Sequence, residues 1–113
     1  MAQQRATGLS RPKVKPDFLK EATRFLTALG DPVRLQVLHR LGEADGRANV
    51  GDIAANFRVS RPAISHHLKV LKDAGMVDSE KIGQEVYYWI ERDRILDGLR
   101  ELADMAERWH CAD

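Results

Sequence analysis

The chain has 113 residues, enough for one domain with a modest core, and is 43% hydrophobic and 31% charged. Its formal net charge of +1 excludes a bulk polycation, so any affinity for nucleic acid has to come from uneven charge placement. The lone Cys111 excludes an internal disulfide, and no apolar run is long enough for a membrane span or a signal peptide, which together predict a cytoplasmic protein with no membrane partner.

Residues 1–16 carry Arg5, Arg11, Lys13 and Lys15 and no acid, together with Gly8, Ser10, Pro12 and Pro16. They read as a disordered basic tail, with a phosphate-tracking arm as the alternative. Residues 17–113 read as the folded domain. From Asp17, a possible cap, the residues Phe18, Leu19, Ala22, Phe25, Leu26 and Leu29 make one apolar helical stripe that Gly30 can end. Asp31-Pro32 then starts a second helix with Leu35, Leu38 and Leu41 inside and Gly42 at its end. Residues 43–49, EADGRAN, read as a polar loop around Asp45-Gly46.

The next stretch, residues 50–75, organises the chain. A helix over residues 50–57 places Ile53, Ala54 and Phe57 on one face, and Arg58-Val59 interrupts it. Ser60 is a good N-cap for a second helix with Pro62 in its first turn, Ile64, Leu68 and Leu71 on its inner side, and Gly75 to stop it. This predicts a helix-turn-helix, against the alternative of an ordinary helical hairpin. The outward face decides between them: Pro62, Ser65, His66 and Lys69, flanked by Arg61 and Lys72, carry no carboxylate before Asp73. Between residues 47 and 72 the cations Arg47, Arg58, Arg61, Lys69 and Lys72 face one acid, Asp52. Short polar groups first and cations later suit a helix lying in a major groove.

Residues 77–81 and 85–90 then read as two strands around Ile82-Gly83-Gln84, the position of a wing in a winged helix. Lys81 is its only cation, which predicts at most a modest phosphate contact. The last helix, residues 93–109, repeats Ile95, Leu99, Leu102, Ala106 and Trp109 with the spacing of a helix-pair seam, widened by Leu96 and Ala103. Packing on its own domain is one reading of that seam. The other is a two-fold homodimer interface that adds Phe18, Phe25 and Leu29 of the first helix and sets two recognition helices about 34–36 Å apart. The expected fold is therefore mainly α with a small β-hairpin, a winged helix-turn-helix in the order α-α-α-α-β-β-α, dimeric.

This order, with LGDPVRLQVL, SRPAISHHLKVLKDAGMV and GQEVYYWI, resembles the ArsR/SmtB family of winged-helix transcriptional repressors over roughly residues 18–109. The resemblance implies a dimeric repressor of an inverted-repeat operator in double-stranded DNA, released by an inducer that is often a metal or metalloid ion. The family pattern S-x-x-x-x-S-x-H-L-x-x-L falls on Ser60, Ser65, His67, Leu68 and Leu71. It implies DNA contacts at Ser60, Arg61, Pro62, Ser65 and His66, with Lys69 nearer the backbone. His67, close to the apolar edge, is as well explained by a structural hydrogen bond.

The departures from the family concern the inducer. Where one family metal site has C-x-C-D-L, this chain has Asn49, Val50, Gly51, Asp52 and Ile53; the positions of a second hold Arg92, Arg94, Met105 and Arg108. Three arginines are not zinc ligands, so neither usual metal site is expected and no cofactor is implied. His110-Cys111, with Asp113, leaves a metal- or redox-responsive repressor as an alternative. No catalytic constellation stands out, so an enzyme is not expected. The other competing reading is a winged-helix protein-interaction module that does not bind DNA.

Overall fold

The computed structural model describes residues 16–44 and 46–112. Its elements run α1 (Pro16–Leu29), α2 (Pro32–Glu43), β1 (Ala48–Asn49), α3 (Val50–Ala54), α4 (Arg61–Asp73), β2 (Val77–Ile82), β3 (Glu85–Ile90) and α5 (Arg92–Glu107). The expected disordered tail falls on residues outside those described, save Pro16, which is the first residue of α1. Short polar side chains start three of the helices. Asp31 accepts from the backbone N–H of Val33 at 2.8 Å and of Arg34 at 3.2 Å; Asn49 accepts from Asp52 at 2.8 Å; Ser60 accepts from Ala63 at 3.2 Å. Each satisfies donors that the first turn leaves without a helical partner, a contribution of about 1 kcal/mol per cap.

The core forms where the inner faces of these helices meet the sheet. Ile64, Leu68 and Leu71 of α4 are fully buried against Val37, Leu38 and Leu41 of α2, Ile53 of α3, and Met76 and Val77 at the start of β2. At roughly 1.5–3 kcal/mol for each large side chain removed from water, α4 is the element the core fixes most firmly. One detail of α2 differs from expectation: Leu35 is exposed and Val37 is buried in its stead, because the inward face passes through Val37, Leu38 and Leu41. Gly42 does not end that helix. It lies one residue inside the terminus, where an added Cβ would touch Ile90 Cδ1 at 3.4 Å.

The expected loop over residues 43–49 ends in a strand. Ala48 pairs with Tyr88 and Asn49 with Tyr87, so the predicted hairpin is completed as a three-stranded antiparallel sheet in the order β1-β3-β2. In the wing, Ile82 pairs with Glu85, leaving Gly83-Gln84 as a two-residue turn. Gly83 has φ +63°, and the tight turns that match strand twist need a positive φ at their first central residue. The first motif helix is shorter than predicted: α3 ends at Ala54, and Asn56 and Phe57 continue as hydrogen-bonded turns that keep Phe57 against the core.

The apolar stripes of α1 and α5 divide between two surroundings. Phe25 is buried within the chain beneath Gly98, and Leu29, Ile95 and Leu102 pack on the core. Phe18 is half-buried, while Leu99 is 45% exposed, Ala106 is exposed, and Trp109 lies beyond the helix end at 64% exposure. No residue of α5 is fully buried. Phe25, expected at a dimer interface, thus has little surface left for a partner, because the missing Cβ of Gly98 lets its ring close against α5.

Candidate nucleic-acid interface

Helix α4 owes its placement to both of its ends. At the start, Ser60 has φ −69° and ψ 157° and caps the helix, and Pro62 fills a first-turn position that needs no donor. At the end, Met76 N–H donates to Leu71 O and Gly75 N–H to Lys72 O, both at 2.9 Å, with Gly75 at φ +79°. That is a complete left-handed helix stop. An added Cβ at Gly75 would sit 2.9 Å from Arg94 Nη2, the tip of an exposed side chain that can swing aside, so it is the left-handed backbone that calls for glycine there.

With Ile64, Leu68 and Leu71 turned inward, the opposite face of α4 is fully available. Ser60, Arg61, Pro62, Ser65, His66 and Lys69, all predicted from the sequence, lie exposed together on it. Lys81 stands apart on β2, exposed, two residues before the wing turn. His67 does not join that face. Arg34 Nη1 lies 3.3 Å from His67 Nδ1, and because a guanidinium can only donate, this contact is a hydrogen bond when Nδ1 is the acceptor.

Arg34 itself had no sequence signal as anything but a solvent-facing cation, yet its side chain is only 13% exposed. Its Nε donates to Ala28 O at 2.9 Å and its Nη2 to Thr27 O at 3.1 Å, so one side chain ties the last turn of α1 to the recognition helix. Asp31 stands 4.0 Å away. Its carboxyl is held below the ordinary range chiefly by the Arg34 backbone N–H, then by the Val33 N–H and the Arg34 guanidinium, which together outweigh a desolvation acting the other way.

The cations of the motif are not all free. Arg61 Nη2 is 3.7 Å from Glu85 Oε2, Lys69 Nζ is 3.7 Å from Asp73 Oδ2, and Lys72 Nζ donates to Ser79 Oγ at 2.8 Å. Beside them Arg47 pairs with Glu80 at 3.3 Å and stacks over the Trp89 ring at 4.3 Å. Among the described residues no three His, Cys, Asp or Glu side chains gather as a metal site. Cys111 is exposed, and Asp113, named with it above, lies outside the described residues.

A profile described as "Bacterial regulatory protein, arsR family" matches residues 31–79, from the Asp31 cap to the middle of β2. The transcriptional repressor SdpR of Bacillus subtilis is 39% identical over 72 residues, which are 64% of this chain and 78% of that protein. The chain belongs to the arsR family of bacterial regulatory proteins. A further relative, the transcriptional repressor SmtB homolog of Synechocystis sp., is 33% identical over 78% of this chain, though that match spans only 65% of the relative. Among solved structures, the homodimeric winged helix-turn-helix DNA-binding domain Mb0332 of Mycobacterium bovis superposes with a TM-score of 0.64 at 28% identity, covering 86% of this chain and 92% of that one. The chain is accordingly a winged helix-turn-helix transcriptional regulator and not an enzyme, and none of its described helices is long and apolar enough to cross a membrane.

Proposed function

We propose that residues 17–113 form a cytoplasmic, homodimeric repressor domain that binds an inverted-repeat operator in double-stranded DNA. Ser60, Arg61, Pro62, Ser65 and His66 enter the major groove, Lys69 stands nearer the backbone, and Lys81 of the wing adds a phosphate contact. The observation that carries this reading is the outward face of α4: exposed, free of acid before Asp73, and backed by a core that holds it rigidly. Dimerisation through α1 and α5 rests on Phe18, Leu99, Ala106 and Trp109, which the chain's own fold leaves wholly or partly uncovered, continuous with Leu29, Ile95 and Leu102. Phe25 supports that surface from beneath.

Selection of bound sequences from a random DNA pool is the decisive experiment. The reading expects a palindromic site with half-site centres about one helical turn apart and an affinity that falls steeply with salt. Recovery of no enriched sequence, or an affinity indifferent to salt, overturns it in favour of a protein-interaction module.

A further inference from the structure

Most of the chain's acids are distant from the motif in sequence, yet the fold brings two of them onto it. Glu80 comes from β2 to Arg47, and Glu85 comes from β3 to Arg61, the first residue of the recognition helix. Both pairs are well exposed, 46% with 51% and 59% with 44%, and exposed ion pairs of this kind contribute little to folding. Their effect is on the potential that the motif presents to a polyanion. A phosphate approaching Arg61 meets a carboxylate already 3.7 Å from the guanidinium, and has to displace it.

We propose that Glu85 is a built-in counter-ion for Arg61, an affinity-setting residue through which the wing weakens DNA binding. This rests on the reading of α4 as the DNA-binding helix. Gly51 belongs to the same arrangement. A Cβ there would lie 3.6 Å from Arg61 Nη1, so the Arg61 side chain passes beside α3 as well as beside Glu85. Release of Arg61 onto phosphate costs the carboxylate its partner and leaves it facing the duplex. The wing therefore acts here with a charge opposite to that of a second DNA-binding hand, in keeping with its single cation, Lys81, beside Glu80 and Glu85.

The test compares wild type with Glu85→Gln, which keeps the shape of the side chain and removes its charge. The probes are the duplex that wild type recovers from a random pool and a scrambled duplex of equal length. Glu85→Gln is expected to tighten binding about threefold for each half-site on both duplexes, and to steepen the dependence of log K on log salt by up to about 0.9 per half-site. In an Arg61→Ala background the same change should tighten binding clearly less, since only the repulsion between Glu85 itself and the duplex is then removed. Thermal melting of Glu85→Gln should match wild type, since the pair is exposed. If wild type binds and Glu85→Gln binds equally or more weakly, or if the gain is undiminished without Arg61, the counter-ion role is wrong while the DNA-binding reading stands. If neither protein binds any duplex, both fall.

Discussion

Replacing Arg34 with alanine tests whether the recognition helix is held by the interior cation that the fold places behind it. The side chain makes one hydrogen bond to Ala28 O, one to Thr27 O and one to His67 Nδ1, at 2.9, 3.1 and 3.3 Å, and an ion pair with Asp31 at the 4.0 Å limit. The Thr27 carbonyl is exposed, so water replaces that bond at little cost. The other two are partly buried, and losing a charged donor to a partly buried acceptor costs about 1.5–3 kcal/mol. Discounting for solvent that enters the truncated site, and setting the long ion pair near zero, gives a destabilisation of roughly 2–4 kcal/mol. In a domain of this size each 1 kcal/mol moves Tm by about 4–8 °C, so the melting temperature followed by circular dichroism at pH 7 should fall by about 8–32 °C. Arg34→Lys keeps the charge but not the fork, and should fall in between. Nitrogen NMR of His67 supplies a second readout: Nδ1 should report as the unprotonated acceptor in wild type and lose that bias in Arg34→Ala. A melt lowered by less than about 4 °C, with the His67 tautomer unchanged, refutes this account of Arg34.

Four other outcomes follow from the same contacts. Gly98→Ala would place a Cβ 2.5 Å from Phe25 Cε1, and chemical denaturation should show a loss of about 1–3 kcal/mol from forced repacking of α1 on α5. Because the Asp31 pKa is lowered in the folded chain, its ionised form stabilises the fold above the ordinary carboxylate value of 3.8 and that stabilisation is lost as pH falls through the folded value. Asp31→Asn can still cap α2, so its stability should differ from wild type by a constant amount above about pH 5, with the charge-dependent part vanishing in acid. Leu99→Glu, on the exposed face of α5, should shift sedimentation from dimer to monomer while leaving the circular dichroism spectrum intact. Ser65→Ala should weaken binding of the selected duplex about tenfold at fixed salt without lowering Tm, since Ser65 is exposed and its truncation leaves no buried group unpaired.

The recognition unit was legible because its signals are local. Ser60, Pro62 and Gly75 each act within a turn of the helix they start or stop, and Ile64, Leu68 and Leu71 declare its inner side by spacing alone. Strand β1 was not legible: two residues carry no periodicity, and Ala48 and Asn49 are strand only because Tyr87 and Tyr88 lie opposite them, nearly forty residues later. Tertiary packing likewise hid Arg34, whose polar partners come from α1 and α4, and Glu85, which reads as an ordinary strand-end acid until the fold sets it beside Arg61. In α2, Leu35 and Val37 are both apolar and only the packing tells which one turns inward. The seam of α5 was visible, but spacing does not distinguish residues that face the chain's own core, Ile95 and Leu102, from those that face away, Leu99 and Trp109.

The two positions at which the family resemblance places metal-binding cysteines have other work in this chain, and that work belongs to the helix-turn-helix. Asn49 spends its side-chain oxygen on the Asp52 N–H and thereby starts α3. Gly51 leaves open the space beside it: a side chain there would begin 3.4 Å from that same oxygen and 3.6 Å from the Arg61 guanidinium. A thiolate at position 51 would extend further into the volume Arg61 now uses, and one at position 49 would replace a strong cap with a weak one. A cysteine at position 49 would therefore weaken the start of α3, whereas one at position 51 would place its Cβ at ordinary contact distance and leave only its Sγ to compete with the exposed Arg61 side chain. Asn49 and Gly51 thus lie in the same corner of the fold as Arg61 and Glu85. In that corner the ion pair of Arg61 with Glu85 joins α4 to the wing, beside the two positions that the resemblance assigns to metal-binding cysteines.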